Sequence, residues 1–103
     1  MWTRVCKADE VPANGLKQVA VPGGEPVVIA NAGEEYFAYQ AYCPHENVPL
    51  ADGIHDGTTL TCLEHMWQFD LRTGAAKADA EAPLCAHRLK HEHGELFVWV
   101  EKA

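Results

Sequence analysis

Two short runs hold most of the chemistry available to this chain of 103 residues. They are Cys43-Pro44-His45 and, after sixteen intervening residues, Cys62-Leu63-Glu64-His65. Thiolate and imidazole donors together select zinc or iron–sulfur chemistry over hard, oxygen-seeking cations. A zinc ion would gather all four side chains at one tetrahedral point, and structural zinc motifs space their paired ligands about two to four residues apart. The one-residue gap between Cys43 and His45 is tight for that. A two-iron cluster needs two ligands on each iron, spread over a wider rhomb. On spacing alone both stay open, and the zinc version would be a stabilised β-domain that only binds a partner. Four protein ligands would fill either centre, so a free-standing catalytic role is disfavoured. The chain shows no Gly-x-Gly-x-x-Gly fingerprint for a dinucleotide.

The remaining composition narrows the setting. Acidic residues number 15 against 8 Lys plus Arg, for a net charge of −7. No Lys/Arg cluster reaches four in a row, which argues against a nucleic-acid groove. Apolar runs are only a few residues long, far short of the roughly 20 that span a bilayer. The N-terminal Met-Trp-Thr-Arg-Val-Cys lacks the apolar stretch of a secretory signal, so a cytoplasmic location is expected. That setting keeps thiols reduced, and Cys6 and Cys85 then read as buried free thiols rather than disulfide partners.

The elements that must position the motif are short strands. Expected strands are Trp2 to Cys6, Leu16 to Val21, Pro26 to Ala30, Tyr36 to Tyr42, Thr58 to Cys62, Trp67 to Leu71, Cys85 to His91 and Leu96 to Val100. The last two form a hairpin joined near Gly94. Phe97 and Trp99 share one face of the final strand, and Leu96, Val98 and Val100 the other, as in a central or wrapped strand. Pro44 to Gly57 reads as a long loop, and loops of that length are usually functional. Ala75 to Ala82 reads as a connector with at most one helical turn, ended by Pro83. The pattern predicts an all-β protein: a barrel or sandwich base with a cluster-holding lobe at about residues 43–69, in one domain spanning 1–103. His87, His91 and His93 share parity but read as a solvated strand or turn rather than a second metal site. His55 reads as a loop residue. Tyr36, Tyr39 and Tyr42 read as packing rather than an electron relay.

The arrangement resembles the Rieske ferredoxin family, whose motif is Cys-x-His, then roughly fifteen to seventeen residues, then Cys-x-x-His around a [2Fe–2S] cluster. The resemblance implies a Rieske-type β-sandwich or barrel with a small cluster-binding lobe. It implies that Cys43 and Cys62 ligate one iron, and His45 and His65 the other. The runs Tyr39-Gln40-Ala41-Tyr42-Cys43-Pro44-His45 and Cys62-Leu63-Glu64-His65-Met66-Trp67-Gln68-Phe69-Asp70 are similar to small ferredoxins of bacterial aromatic-ring monooxygenases, especially the toluene type. That implies a soluble, monomeric one-electron carrier in aromatic hydrocarbon catabolism. It would work between an NAD(P)H-dependent flavoprotein ferredoxin reductase and a terminal oxygenase, a diiron hydroxylase. The alternatives within the class are the ferredoxin of a Rieske ring-hydroxylating dioxygenase and the small subunit of a nitrite reductase.

Departures from the high-potential relatives bear on the redox potential. Neither loop carries their extra cysteine, and Trp67 and Phe69 stand where they place hydroxyls near the sulfurs. Hydrogen bonds to sulfur favour the reduced, more negative cluster, so their loss lowers the potential. A redox titration is expected to give a midpoint toward the low end of the Rieske range, roughly −150 mV. A value well above zero contradicts this.

Overall fold

A computed structural model describes residues 1–33, 35–44, 48–63, 66–77 and 80–100. The fold is all-β, in three antiparallel sheets. The strands are β1 (Trp2–Lys7), β2 (Leu16–Val19), β3 (Val27–Asn31), β4 (Tyr36–Gln40), β5 (Ile54–His55), β6 (Thr59–Cys62), β7 (Trp67–Asp70), β8 (Ala76–Lys77), β9 (Ala86–His87), β10 (Leu89–Glu92) and β11 (Glu95–Trp99). Sheet orders are β1-β11-β10, β2-β3-β4-β9 and β5-β6-β7-β8.

Strand β3 explains how the sheets cohere. Its run Val-Val-Ile-Ala-Asn is buried at every position. Alternate strand residues face opposite ways, so β3 supplies two cores. Val28 and Ala30 join Tyr39, Leu50, Leu60, Phe69, Leu71 and both Cys43 and Cys62. Val27 and Ile29 join Cys6, Val11, Val19, Ala38, Leu96 and Val98. The β3–β4 register pairs Val28 with Tyr39 and Ile29 with Ala38, so β4 divides between the cores in the same way. The lobe core and the base core therefore share one wall.

Strand β11 is central in its sheet, as its two apolar faces predict. Leu96 and Val98 point into the base core. On the other face the Arg88 guanidinium lies 5.3 Å from the Trp2 ring and 4.9 Å from the Trp99 ring. The Lys90 ammonium lies 5.0 Å from Trp2 and 5.1 Å from Phe97. Cations over aromatic faces cover that side. A register shift between Arg4 and Cys6 turns Cys6 inward. One inserted residue reverses strand parity, and the thiol ends in the base core with its pKa raised by burial. The β10–β11 turn sits where expected: His93 at φ 53 and Gly94 at φ 77 close a two-residue hairpin.

Three expected elements differ. The segment after Pro44 is not a bare loop, since it holds a 3-10 turn at Leu50–Asp52 and strand β5. Gly57-Thr58 closes the β5–β6 hairpin between Asp56 and Thr59, with Gly57 at φ 93; glycine at the first central position suits a two-residue hairpin turn. The Ala75–Ala82 connector contains the short strand β8, because the free edge of β7 takes it up through Gln68–Lys77 and Phe69–Ala76 pairing, while residues 78 and 79 lie outside the described ones. The strand expected over Cys85 to His91 breaks at Arg88, because β9 pairs with β4 while β10 pairs with β11. That corner carries the chain from one sheet to the next.

The Asp56 carboxylate fixes the β5–β6 turn. It accepts hydrogen bonds from the Thr58 N–H (2.9 Å), the Thr58 hydroxyl (2.9 Å) and the Thr59 N–H (2.8 Å). These bonds, those from the Thr58 and Thr59 backbone foremost, lower its pKa to about 2. A depressed carboxylate pKa stabilises the fold above the unfolded value and loses that contribution as pH falls toward the folded one. Asp56→Asn should therefore melt below the wild type at neutral pH. The gap should hold down to about pH 4, near the free carboxyl value, and close as pH approaches 2, as followed by circular dichroism.

Candidate metal centre

Each half of the motif sits on a closed backbone loop. The first follows β4. The Cys43 N–H donates to the Val48 carbonyl at 2.9 Å, and the Leu50 N–H donates to the Ala41 carbonyl at 2.8 Å. Tyr42 and Pro49 form a β-bridge between those two bonds. The chain therefore leaves at Cys43 and returns at Val48. His45 falls inside that span, outside the described residues. The second loop joins β6 to β7. Cys62 pairs with Trp67, which leaves residues 63–66 to make the reversal. Met66 closes it at φ 58. His65 falls inside that loop and also lies outside the described residues, as do Glu46 and Glu64.

Both thiols of the motif are buried, Cys43 at 3% exposure and Cys62 at 1%. They share one apolar core with Val28, Leu50, Leu60, Trp67 and Phe69. The Trp67 ring meets the Phe69 ring edge-on at 6.4 Å, so Trp67 packs in the same core as both cysteines. A thiolate buried among hydrocarbon needs a countercharge, and two facing one core suit a soft metal centre. The donor set fits a thiolate-bound cluster, with Cys43 and Cys62 presented from this core.

Tyr39 is the phenol of this core, and its hydroxyl donates to the Leu71 carbonyl at 2.6 Å. Burial, then the charge of Asp70, pushes its pKa up to about 12. Its partner is a carbonyl that cannot take a proton, so Tyr39 is packing and not a relay. Tyr36 packs edge-on against His91, and Tyr42 is exposed.

The other expected groups separate. His87 lies on β9, His91 on β10 and His93 in the β10–β11 turn, and the described residues contain no metal-binding group of three. Cys85 is exposed, not buried as expected. Its N–H donates to the Gln40 side-chain Oε1 at 2.7 Å and its C=O accepts from the Gln40 backbone N–H at 3.1 Å, and the side chain is left outside. His55 does more than a loop residue. Its Nδ1 accepts the Gly57 N–H at 3.1 Å, which leaves Nε2 to donate to the Gly15 carbonyl at 3.0 Å. It thus ties the lobe to the base, a role that no spacing in the sequence announces.

The family model for the Rieske [2Fe-2S] domain matches residues 1–91. The chain belongs to the Rieske [2Fe–2S] family. This Rieske protein is 35% identical over 100 residues to the methanesulfonate monooxygenase ferredoxin subunit of Methylosulfonomonas methylovora, covering 96% of this chain and 80% of that one. It is 34% identical over 96 residues to the ferredoxin component of the p-cumate 2,3-dioxygenase system of Pseudomonas putida, covering 91% and 81%. Among solved structures it is similar to one of the complex of reduced oxygenase and oxidized ferredoxin in carbazole 1,9a-dioxygenase. The TM-score is 0.87 at 26% identity, covering 99% of this chain and 95% of that one. The cofactor is therefore one Rieske-type [2Fe–2S] cluster, and this Rieske protein transfers electrons rather than catalysing a reaction. No helix among its described residues is long and apolar enough to cross a membrane.

Tyr39→Phe tests the reading of the core. The variant should lose about 1–2 kcal/mol of stability, since the buried Leu71 carbonyl is left without its donor. The midpoint potential should stay at the wild-type value in a redox titration, because that hydroxyl does not serve the sulfurs.

Proposed function

We propose that the chain carries single electrons from an NAD(P)H-dependent flavoprotein reductase to the terminal hydroxylase of a multicomponent monooxygenase, a diiron enzyme acting on an aromatic or related hydrocarbon. Residues 1–103 act as one monomeric unit. Cys43, His45, Cys62 and His65 hold the cluster, which supplies a one-electron store when bound. The protein's part is to bury the thiolates, present the two loops outward and offer a docking surface around them.

The observation that carries this reading is where the apolar surface lies. Apart from Met1, the exposed large hydrophobic residues among those described are Tyr42, Ile54, Leu63 and Met66. Tyr42 precedes Cys43 and Leu63 follows Cys62. Ile54 pairs with Thr61 beside Cys62, and Met66 ends the second loop. Exposed apolar residues that flank both cysteine-bearing segments of an acidic protein suit brief, small-area docking there. Met66 stands out among them. Its left-handed backbone costs about 1–2 kcal/mol for a residue other than glycine, and its side chain is 58% exposed. Strain kept in an exposed side chain points to contact with a partner.

A second reading is the ferredoxin of a Rieske dioxygenase. The p-cumate relative and the carbazole dioxygenase ferredoxin complex favour it. Stopped-flow mixing of the reduced protein with a toluene-type diiron hydroxylase and with a Rieske dioxygenase oxygenase component separates the two. Faster oxidation by the diiron hydroxylase is expected, and faster oxidation by the Rieske oxygenase overturns the first reading. With the productive hydroxylase, Met66→Asp should raise the KM for the ferredoxin about tenfold, with kcat little changed. An unchanged KM would remove Met66 from the docking surface.

A further inference from the structure

Gly53 follows the 3-10 turn at Leu50–Asp52 and precedes β5. Its backbone, at φ −86 and ψ −162, is extended, which any residue can adopt. What the position excludes is volume. A Cβ there would stand 2.2 Å from the Thr61 carbonyl oxygen, 3.1 Å from the Leu50 carbonyl oxygen and 3.3 Å from the Thr61 carbonyl carbon. All three are backbone atoms and cannot rotate aside. By contrast, Gly23, Gly33, Gly57 and Gly94 have positive φ and open space where a Cβ would go.

The neighbours give this close approach its meaning. The pairs Ile54–Thr61 and His55–Leu60, continued by one step, set Gly53 opposite Cys62. The Thr61 carbonyl belongs to the peptide that supplies the Cys62 nitrogen. On its other side, the same turn is fastened to the first loop. The Gly53 N–H donates to the Leu50 carbonyl at 2.9 Å, the Leu50 N–H to the Ala41 carbonyl at 2.8 Å, and Pro49 bridges Tyr42 beside Cys43. Leu50 itself is fully buried in the core that holds both thiols. One turn of backbone therefore separates the Cys43 segment from the Cys62 segment, and its thickness sets their spacing.

We propose that Gly53 is a positioning residue for the cluster: the missing side chain lets the Leu50–Gly53 turn seat against the Thr61–Cys62 peptide and so fixes the separation of the two thiolate-bearing segments. A methyl group would have to move from 2.2 Å to ordinary contact at 3.4 Å or more. That displacement exceeds the roughly 0.5 Å within which such sites must be held.

The inference rests on Cys43 and Cys62 being ligands, and the experiment keeps the two claims apart. Holoproteins of wild type, Gly53→Ala, Leu50→Val, Gly57→Ala and Cys62→Ser are compared by iron and acid-labile sulfide content, by EPR of the reduced protein and by melting temperature. Gly53→Ala should bind at least twofold less iron or show shifted g-values. Leu50→Val thins the buried side of the same turn at a cost the fold can bear, and should also shift the g-values. Gly57→Ala strains the same lobe without touching Thr61, and should melt lower with a wild-type EPR spectrum. Wild-type iron content and g-values in Gly53→Ala overturn the proposal. If that variant does not fold, a wild-type spectrum in Leu50→Val overturns it. A wild-type spectrum in Cys62→Ser would instead overturn the ligand assignment beneath it.

Discussion

Two sulfur atoms must meet in one apolar core although their residues lie nineteen positions apart, at Cys43 and Cys62. Hydrocarbon surroundings exclude water and disfavour a bare thiolate, so the charge is tolerated only when shared with a metal. With Cys43 and Cys62 as the proposed ligands, coordination and packing would depend on each other, and folding of this lobe would be coupled to its cluster. The backbone bonds around Ala41–Leu50 and the Cys62–Trp67 pair give each sulfur a fixed entry into the core. Loops that held the ligands without that support would leave the irons to define their own geometry.

The base makes this possible by lending a wall. Strand β3 is buried on both faces, with Val28 and Ala30 turned to the cluster core and Val27 and Ile29 to the base. A change in the packing of one core is therefore felt in the other, since close-packed interiors transmit small displacements. The hydrogen bond from His55 to the Gly15 carbonyl adds a polar tie across the same divide. The result is a shared frame that carries the exposed Tyr42, Leu63 and Met66 beside the two cysteine-bearing segments.

Much of this was legible from residue types. Alternating β-branched and aromatic residues marked β3, β4 and β11, and His93-Gly94 marked the last hairpin. The ligand spacing left zinc and iron–sulfur open, and the resemblance of the motif to the Rieske ferredoxins separated them, in agreement with the family match. What sequence reasoning missed depends on contacts made at a distance. The short strand β8 forms because β7 offers an open edge, against the helical tendency of Ala75–Ala82. The break at Arg88 follows from the need to turn between sheets. Cys85 lies outside because Gln40 holds its backbone, a pairing across 45 positions. Gly53 was legible only as a loop glycine that allows a sharp reversal, since its close approach to the Thr61 carbonyl is set by its neighbours and not by its own conformation.

The claim on which the rest stands is that two imidazoles share one iron while two buried thiolates hold the other. Pulsed EPR of the dithionite-reduced holoprotein, with histidine labelled by nitrogen-15, tests it directly. The account predicts hyperfine couplings from the nitrogens of His45 and His65, lost in part when either residue is replaced. A reduced cluster with no histidine coupling, or a protein that holds zinc without acid-labile sulfide, would contradict it.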